Sequence, residues 1–178
     1  MTITCPLDCE YLLESRTREK VNEPDPEKLP NRDIELKEEF LEKIDELLEA
    51  VSQMLLTAAL QTPGAVDRDV QTALEAMIKT YRTKESGLIY ESRPDNPIAG
   101  MVQQRLQADV EQYSQALARE RGLTSVRDAD VLGTLVFLQR LAIYFDNSRS
   151  RGRSLISYLL HRFPMNGPGG QGQSLLSV

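Results

Sequence analysis

The sequence has little of what most catalytic and binding chemistries require. Its 178 residues hold two cysteines and one histidine. Cys5 and Cys9 are too few for a disulfide framework, and a structural zinc site takes four ligands. Near one end of the chain and spaced Cys-x-x-x-Cys, they read as two plain thiols rather than as a redox pair or a shared metal site. His161 stands beside Arg162 with no cysteine or serine motif, so a catalytic role would need spatial partners. Gly-x-x-x-x-Gly-Lys, Gly-x-Ser-x-Gly and His-Glu-x-x-His are all missing, which removes the common phosphate-loop, hydrolase and zinc-peptidase solutions.

Six carboxylates, Glu38, Glu39, Glu42, Asp45, Glu46 and Glu49, could suggest a metal centre. A di-iron bundle needs Glu-x-x-His pairs on facing helices, and one histidine cannot supply them. An all-carboxylate magnesium site is the remaining metal reading, but a charged run on an amphipathic helix is ordinarily its solvated face. No metal and no cofactor are expected.

Long apolar runs are also missing. The most apolar stretch, residues 131–145, contains Gln139 and Arg140 and falls short of the ~20 residues that span a bilayer. The start, Met1-Thr2-Ile3-Thr4-Cys5-Pro6, has no basic segment followed by an apolar one. A soluble, cytoplasmic protein is the expectation.

What is present is a chain with 40% hydrophobic and 27% charged residues, enough of the former to fold as one domain with tails. The net charge of −6 is unevenly spread. Residues 1–50 hold 15 acidic and 7 basic side chains, whereas from Ser92 onward ten arginines face seven acids. The overall acidity argues against a general nucleic-acid binder, whose affinity rests on a broad basic surface. A local anion site is compatible with it, since arginine pairs bidentately with carboxylate or phosphate.

Residues 1–33 mix charges with Pro6, Pro24, Pro26 and Pro30, and read as a flexible arm with one apolar handle, Tyr11-Leu12-Leu13, that could dock on the body or on a partner. From Ile34 to residue 164 the pattern is helical. Phe40, Leu41, Ile44, Leu47, Leu48, Val51, Met54, Leu55 and Ala58 form the stripe of one long amphipathic helix, broken by Thr62-Pro63-Gly64; so short a connection favours an antiparallel neighbour. A second helix runs from about Val66 to Tyr81 and beyond, with Gly87 placed as its left-handed cap. After an ordered loop, Asn96-Pro97 opens a third helix that Gly122 ends. Ser125 and Asp128 resemble a capping box for the fourth, which is apolar on nearly every side and should lie at the centre. A shorter fifth covers about residues 154–163. The expected fold is all-α, an antiparallel bundle of four long helices plus a shorter fifth, with a disordered tail over residues 165–178. Heptad-like spacing from Leu41 through Ala58 would also permit self-association.

Two cationic groups are candidate sites. Arg149, Arg151 and Arg153, with Ser150 and Ser154, stand at the start of the last helix, where free N–H groups already make the field positive, so an anion should compensate. It could be the phosphate of a small molecule, or an internal carboxylate such as Asp146, Glu38, Glu39 or Glu42. Lys79, Arg82, Lys84, Tyr90 and Arg93 form the secondary group; cations also belong in a helix's last turn, which accounts for several of them. Periodic packing without a catalytic set points to a non-enzymatic interaction or regulatory module, acting on a protein partner or by self-association through a helical face. The alternative is a binding protein or enzyme for a phosphorylated small molecule, held at the arginine loop.

Overall fold

The computed structural model describes residues 25–88, 90–121 and 126–164. Most of the arm, with Cys5, Cys9 and Tyr11-Leu12-Leu13, and the tail over residues 165–178 lie outside them, as do Gly122 and Ser125. The described residues form a 3₁₀ turn, Pro26–Lys28, and six helices: α1 Glu38–Lys43, α2 Asp45–Gln61, α3 Asp67–Glu85, α4 Pro97–Arg121, α5 Asp128–Tyr144 and α6 Ser154–Arg162. Among them there is no strand, and no helix is long and apolar enough to cross a membrane.

Local signals act where the sequence places them. Gly64 and Gly87 both take positive φ, 78° and 75°. Gly87 donates its N–H to the Lys84 carbonyl, and Leu88 donates to Thr83, closing α3 in a left-handed cap. At the start of α4 the Asn96 side chain accepts the Ile98 N–H at 2.9 Å, with Pro97 in the first turn. The loop before it is pinned to the body: the Ser92 N–H donates to Thr80 Oγ1 at 3.0 Å, and buried Gln103 donates to the Ser92 carbonyl at 2.7 Å.

The first helix differs from its sequence pattern. It begins at Glu38, not Ile34, and Ile44 steps out of helical geometry (φ −99°, ψ 9°), dividing it into α1 and α2. The break lets Ile44 bury while α1 turns its Phe40 ring onto α5 at Gly133, where an added methyl would overlap that ring. Residues 34–37 are not helical, and Ile34 and Leu36 pack against the core.

The order of the helices around the core also differs from a simple up-and-down reading. α3 packs chiefly on α5 and α4, while α2 packs on α4, α6 and α5. The four long helices therefore circle the core as α2, α4, α3, α5. The short 62–66 turn joins α2 and α3 across that circle instead of making them principal neighbours. Val51, Leu55, Val70, Leu74, Val102, Leu106, Leu135 and Leu138 fill the middle with essentially no exposure. α4, with 25 residues, outruns α2, α3 and α5, and from Glu111 through Glu120 none of its residues is buried.

α5 sits at one corner of the circle, not at its centre. From Val131 to Val136 it is buried on every side, but further on Phe137, Arg140 and Leu141 are half-buried and Tyr144 is exposed. A strap of chain, residues 29–36, covers the outer side, and its contacts begin upstream of Ile34. Asn31, at φ 56°, donates from Nδ2 to Gln139 Oε1 at 2.7 Å. Its Oδ1 accepts from Arg82 Nη2 at 2.8 Å, and Arg140 Nη2 donates to the carbonyls of Asn31 and Ile34 at 2.9 and 3.0 Å.

Candidate functional site

The arginine loop is built to start a helix. Asp146 Oδ1 accepts the Ser148 N–H and Asn147 Oδ1 accepts that of Arg149, two side chains folding back on the backbone ahead of them. Asn147 also donates to Ser154 Oγ at 2.7 Å. Gly152 is buried against this knot, and a Cβ there would overlap Asn147 Oδ1. The carbonyl of Gly152 accepts the Asp67 N–H at 2.9 Å, and Asp67 returns its side chain to α6: Oδ2 accepts from Leu155 N–H at 3.0 Å and Oδ1 from Ile156 N–H at 3.1 Å.

The anion that this helix start calls for is thus Asp67, a residue 6% exposed. Burial pushes its carboxyl up from the ordinary range, while the N–H groups of Leu155, Ile156 and Ser154 and the charge of Arg153 pull the other way. In the sequence Asp67 is placed only to meet the dipole of its own helix, α3. The feature that could have suggested more is its position at the end of a short turn, where a first-turn carboxylate is free to face another element.

The predicted site residues are dispersed around this knot. Arg149, Arg151, Arg153 and Ser150 are exposed, and among the described residues none of these three guanidinium groups forms an ion pair. A cleft of about 250 Å³ beside the loop is lined by Arg149 and Ser150 together with Asp67, Arg68, Asp146 and Asn147. Arg151, Arg153 and Ser154 do not line it. The cleft therefore carries charges of both signs.

The secondary group is not one site either. Arg82 forms a bidentate pair with Asp33, at 2.9 and 2.8 Å, that holds the Asp33 carboxyl below its usual value. Lys84 lies over the Tyr81 ring at 4.7 Å, Arg93 meets Glu91 at 3.2 Å, Lys79 is exposed, and Tyr90 points largely into solvent. The acidic residues Glu38, Glu39, Glu42, Asp45, Glu46 and Glu49 are exposed, and His161 is exposed on α6. Among the described residues no three His, Cys, Asp or Glu side chains gather as metal ligands.

An apolar concavity lies elsewhere, beside the strap. Leu29, Leu36, Leu41, Phe137, Leu141 and Tyr144 line a shallow groove of about 350 Å³, with Arg140 in its wall. Its apolar surface continues past Tyr144, whose ring meets Phe145 edge-on at 5.3 Å; Phe145 stacks on Tyr158 at 4.4 Å. Tyr144 and Tyr158 are 39% and 40% exposed, so aromatic surface reaches solvent along this side. Arg140 gives Nη2 to strap carbonyls and its charge helps to lower the Asp33 carboxyl, while among the described residues its buried Nε has no acceptor. Leu141 and Tyr144 belong to the apolar run visible in the sequence. Leu29 and Leu36 come from a segment whose sequence signals an arm and a helix start, so the groove itself is a product of tertiary packing.

Set against protein-family models, curated proteins and solved structures, the chain matches none.

Proposed function

We propose that this chain is a non-enzymatic helical interaction module that receives a short apolar segment of a partner protein in the groove between the strap and α5. The observation that carries this reading is the apolar side of α5 that the described residues leave open. Phe137, Leu141 and Tyr144 face a groove whose other wall, Leu29, Leu36 and Leu41, is also apolar. Apolar surface gathered in a concavity gains about 25 cal/mol per Å² when a partner excludes water from it. Arg140 in the groove wall adds positive charge beside the apolar residues, and with it a preference for an acidic neighbour in the bound segment.

A phosphorylated small molecule at the arginine loop has weaker support. The α6 N–H groups that would hold its phosphate already meet Asp67, and of Arg149, Arg151 and Arg153 only Arg149 lines the cleft. The test is binding of labelled peptides, two or three consecutive apolar residues next to a glutamate, measured by fluorescence anisotropy. The wild type is expected to prefer them over scrambled polar controls, and Tyr144→Asp, at a half-exposed rim, to lose that preference with its helical circular dichroism intact. Equal binding of apolar and polar peptides would refute the reading.

A further inference from the structure

We propose that the chain carries its own competitor for this groove: Tyr11-Leu12-Leu13 docks there in cis and must be displaced by a partner. The proposal rests on the groove being a docking site and adds how access to it is controlled. Among residues 1–24 these are the only three consecutive apolar side chains, and Glu10 and Glu14 flank them. The groove matches both features, with apolar walls and, in Arg140, a cation in its lining.

The tether is in the right place. The described chain begins at Asp25, and Leu29, four residues on, already lines the groove. Asn31 and Asp33 are clamped to Arg82 and Gln139, which fixes the point from which the upstream residues depart. Leu13 and Asp25 are twelve positions apart. A coil of that length averages about 20 Å end to end and reaches about 40 Å when extended. Both figures suit a return to a groove at the tether's base, and so short a link gives an effective concentration near ~1 mM. A segment that bound in trans at ~100 μM would then weaken a competing peptide about tenfold.

The natural thiols supply the test. In the full chain with Cys5→Ser, Cys9 lies two residues before Tyr11, and Lys37→Cys places a partner thiol next to Leu36, at an exposed position outside the groove lining. Under a glutathione redox buffer, an intramolecular disulfide is expected to form at least tenfold faster than in the same protein carrying Leu12→Ser and Leu13→Ser. Peptide binding should tighten about tenfold in that double variant. Equal disulfide rates would overturn the proposal, and so would a predominantly intermolecular product, which would place a second copy's segment in the groove. Peptides that bind both chains equally well would sink the competitor while leaving the docking site standing. Handle-dependent crosslinking with no peptide bound by either chain would do the reverse.

Discussion

Replacing Asp67 by alanine should be among the more damaging single changes outside the apolar core. The carboxylate joins two helices: it sits in the first turn of α3 and accepts the N–H groups of Leu155 and Ile156 at the first turn of α6. Alanine leaves both donors without partners, and a buried unsatisfied group costs about 1–3 kcal/mol. The carboxylate's own desolvation penalty is relieved at the same time, and water can enter from the neighbouring cleft. A net loss of about 2–4 kcal/mol remains. At 2–4 °C per kcal/mol for a domain of this size, the melting temperature falls by roughly 4–16 °C. Asp67→Asn should lose less, since a neutral amide keeps one acceptor and avoids the charge penalty. Acidification separates the two effects. Burial raises the folded-state pKa of Asp67, so the wild type gains stability as pH falls through that value, with the gain complete below the unfolded value near ~3.9. Neither variant can show that component. Thermal unfolding by circular dichroism at pH 7 and pH 5 measures both; an alanine variant within about 0.5 kcal/mol of the wild type would refute the assignment of Asp67 as the cap of α6.

Gly133→Ala should destabilise the fold by about 1 kcal/mol or more despite alanine's better helix propensity, because its methyl overlaps the Phe40 ring; with Phe40→Ala in place the same change should stabilise by up to about 1 kcal/mol, a sign reversal that denaturant titration can read. The Asp33–Arg82 pair depresses the Asp33 pKa, so its contribution is present above the unfolded value of about 3.9 and is lost as pH falls through the folded one. Melting temperatures of the wild type and Asp33→Asn should therefore differ at pH 7 and converge in strong acid. Burial, with Asp128 and Glu111 adding to it, pushes the Tyr81 phenol up to about 12. Absorbance titration should show one tyrosine ionising near 12 that is missing in Tyr81→Phe. Because the unfolded phenol ionises near ~10, the stability this group contributes is lost between pH 10 and 12.

The helices were legible because their signals are local. Apolar residues at steps of three and four, Asn96 before Pro97, and glycines at 64 and 87 act within a turn or two of chain. Contacts between distant segments leave no such trace. The stripes on α2 and α3 show which faces are buried but not that each meets α4 rather than the other. Nothing near Asp67 announces a helix start 88 positions later, and Asn31 gives no sign of Gln139, 108 positions away. Ile44 fits its helical stripe, and only the need to seat Phe40 on Gly133 explains why it leaves helical geometry.

One long-range feature does have a sequence correlate, and it bears on the groove. Gln139 and Arg140 interrupt the most apolar helix of the chain. Side-chain donors at a buried helix face need free acceptors, and a neighbouring helix offers none, because its carbonyls are taken by its own ladder. Irregular chain does offer them. Arg140 donates to the carbonyls of Asn31 and Ile34, and Gln139 accepts from the Asn31 side-chain amide, a donor that is likewise free because the strap is not helical. Polar residues in the middle of an apolar helix therefore select a strap instead of a sixth wall of the bundle. A single non-helical segment is narrower than a helix of about 10 Å diameter, so among the described residues the strap leaves part of the apolar surface of α5 open. The uncovered margin is Phe137, Leu141 and Tyr144, and the groove follows from the same two residues that hold the strap in place.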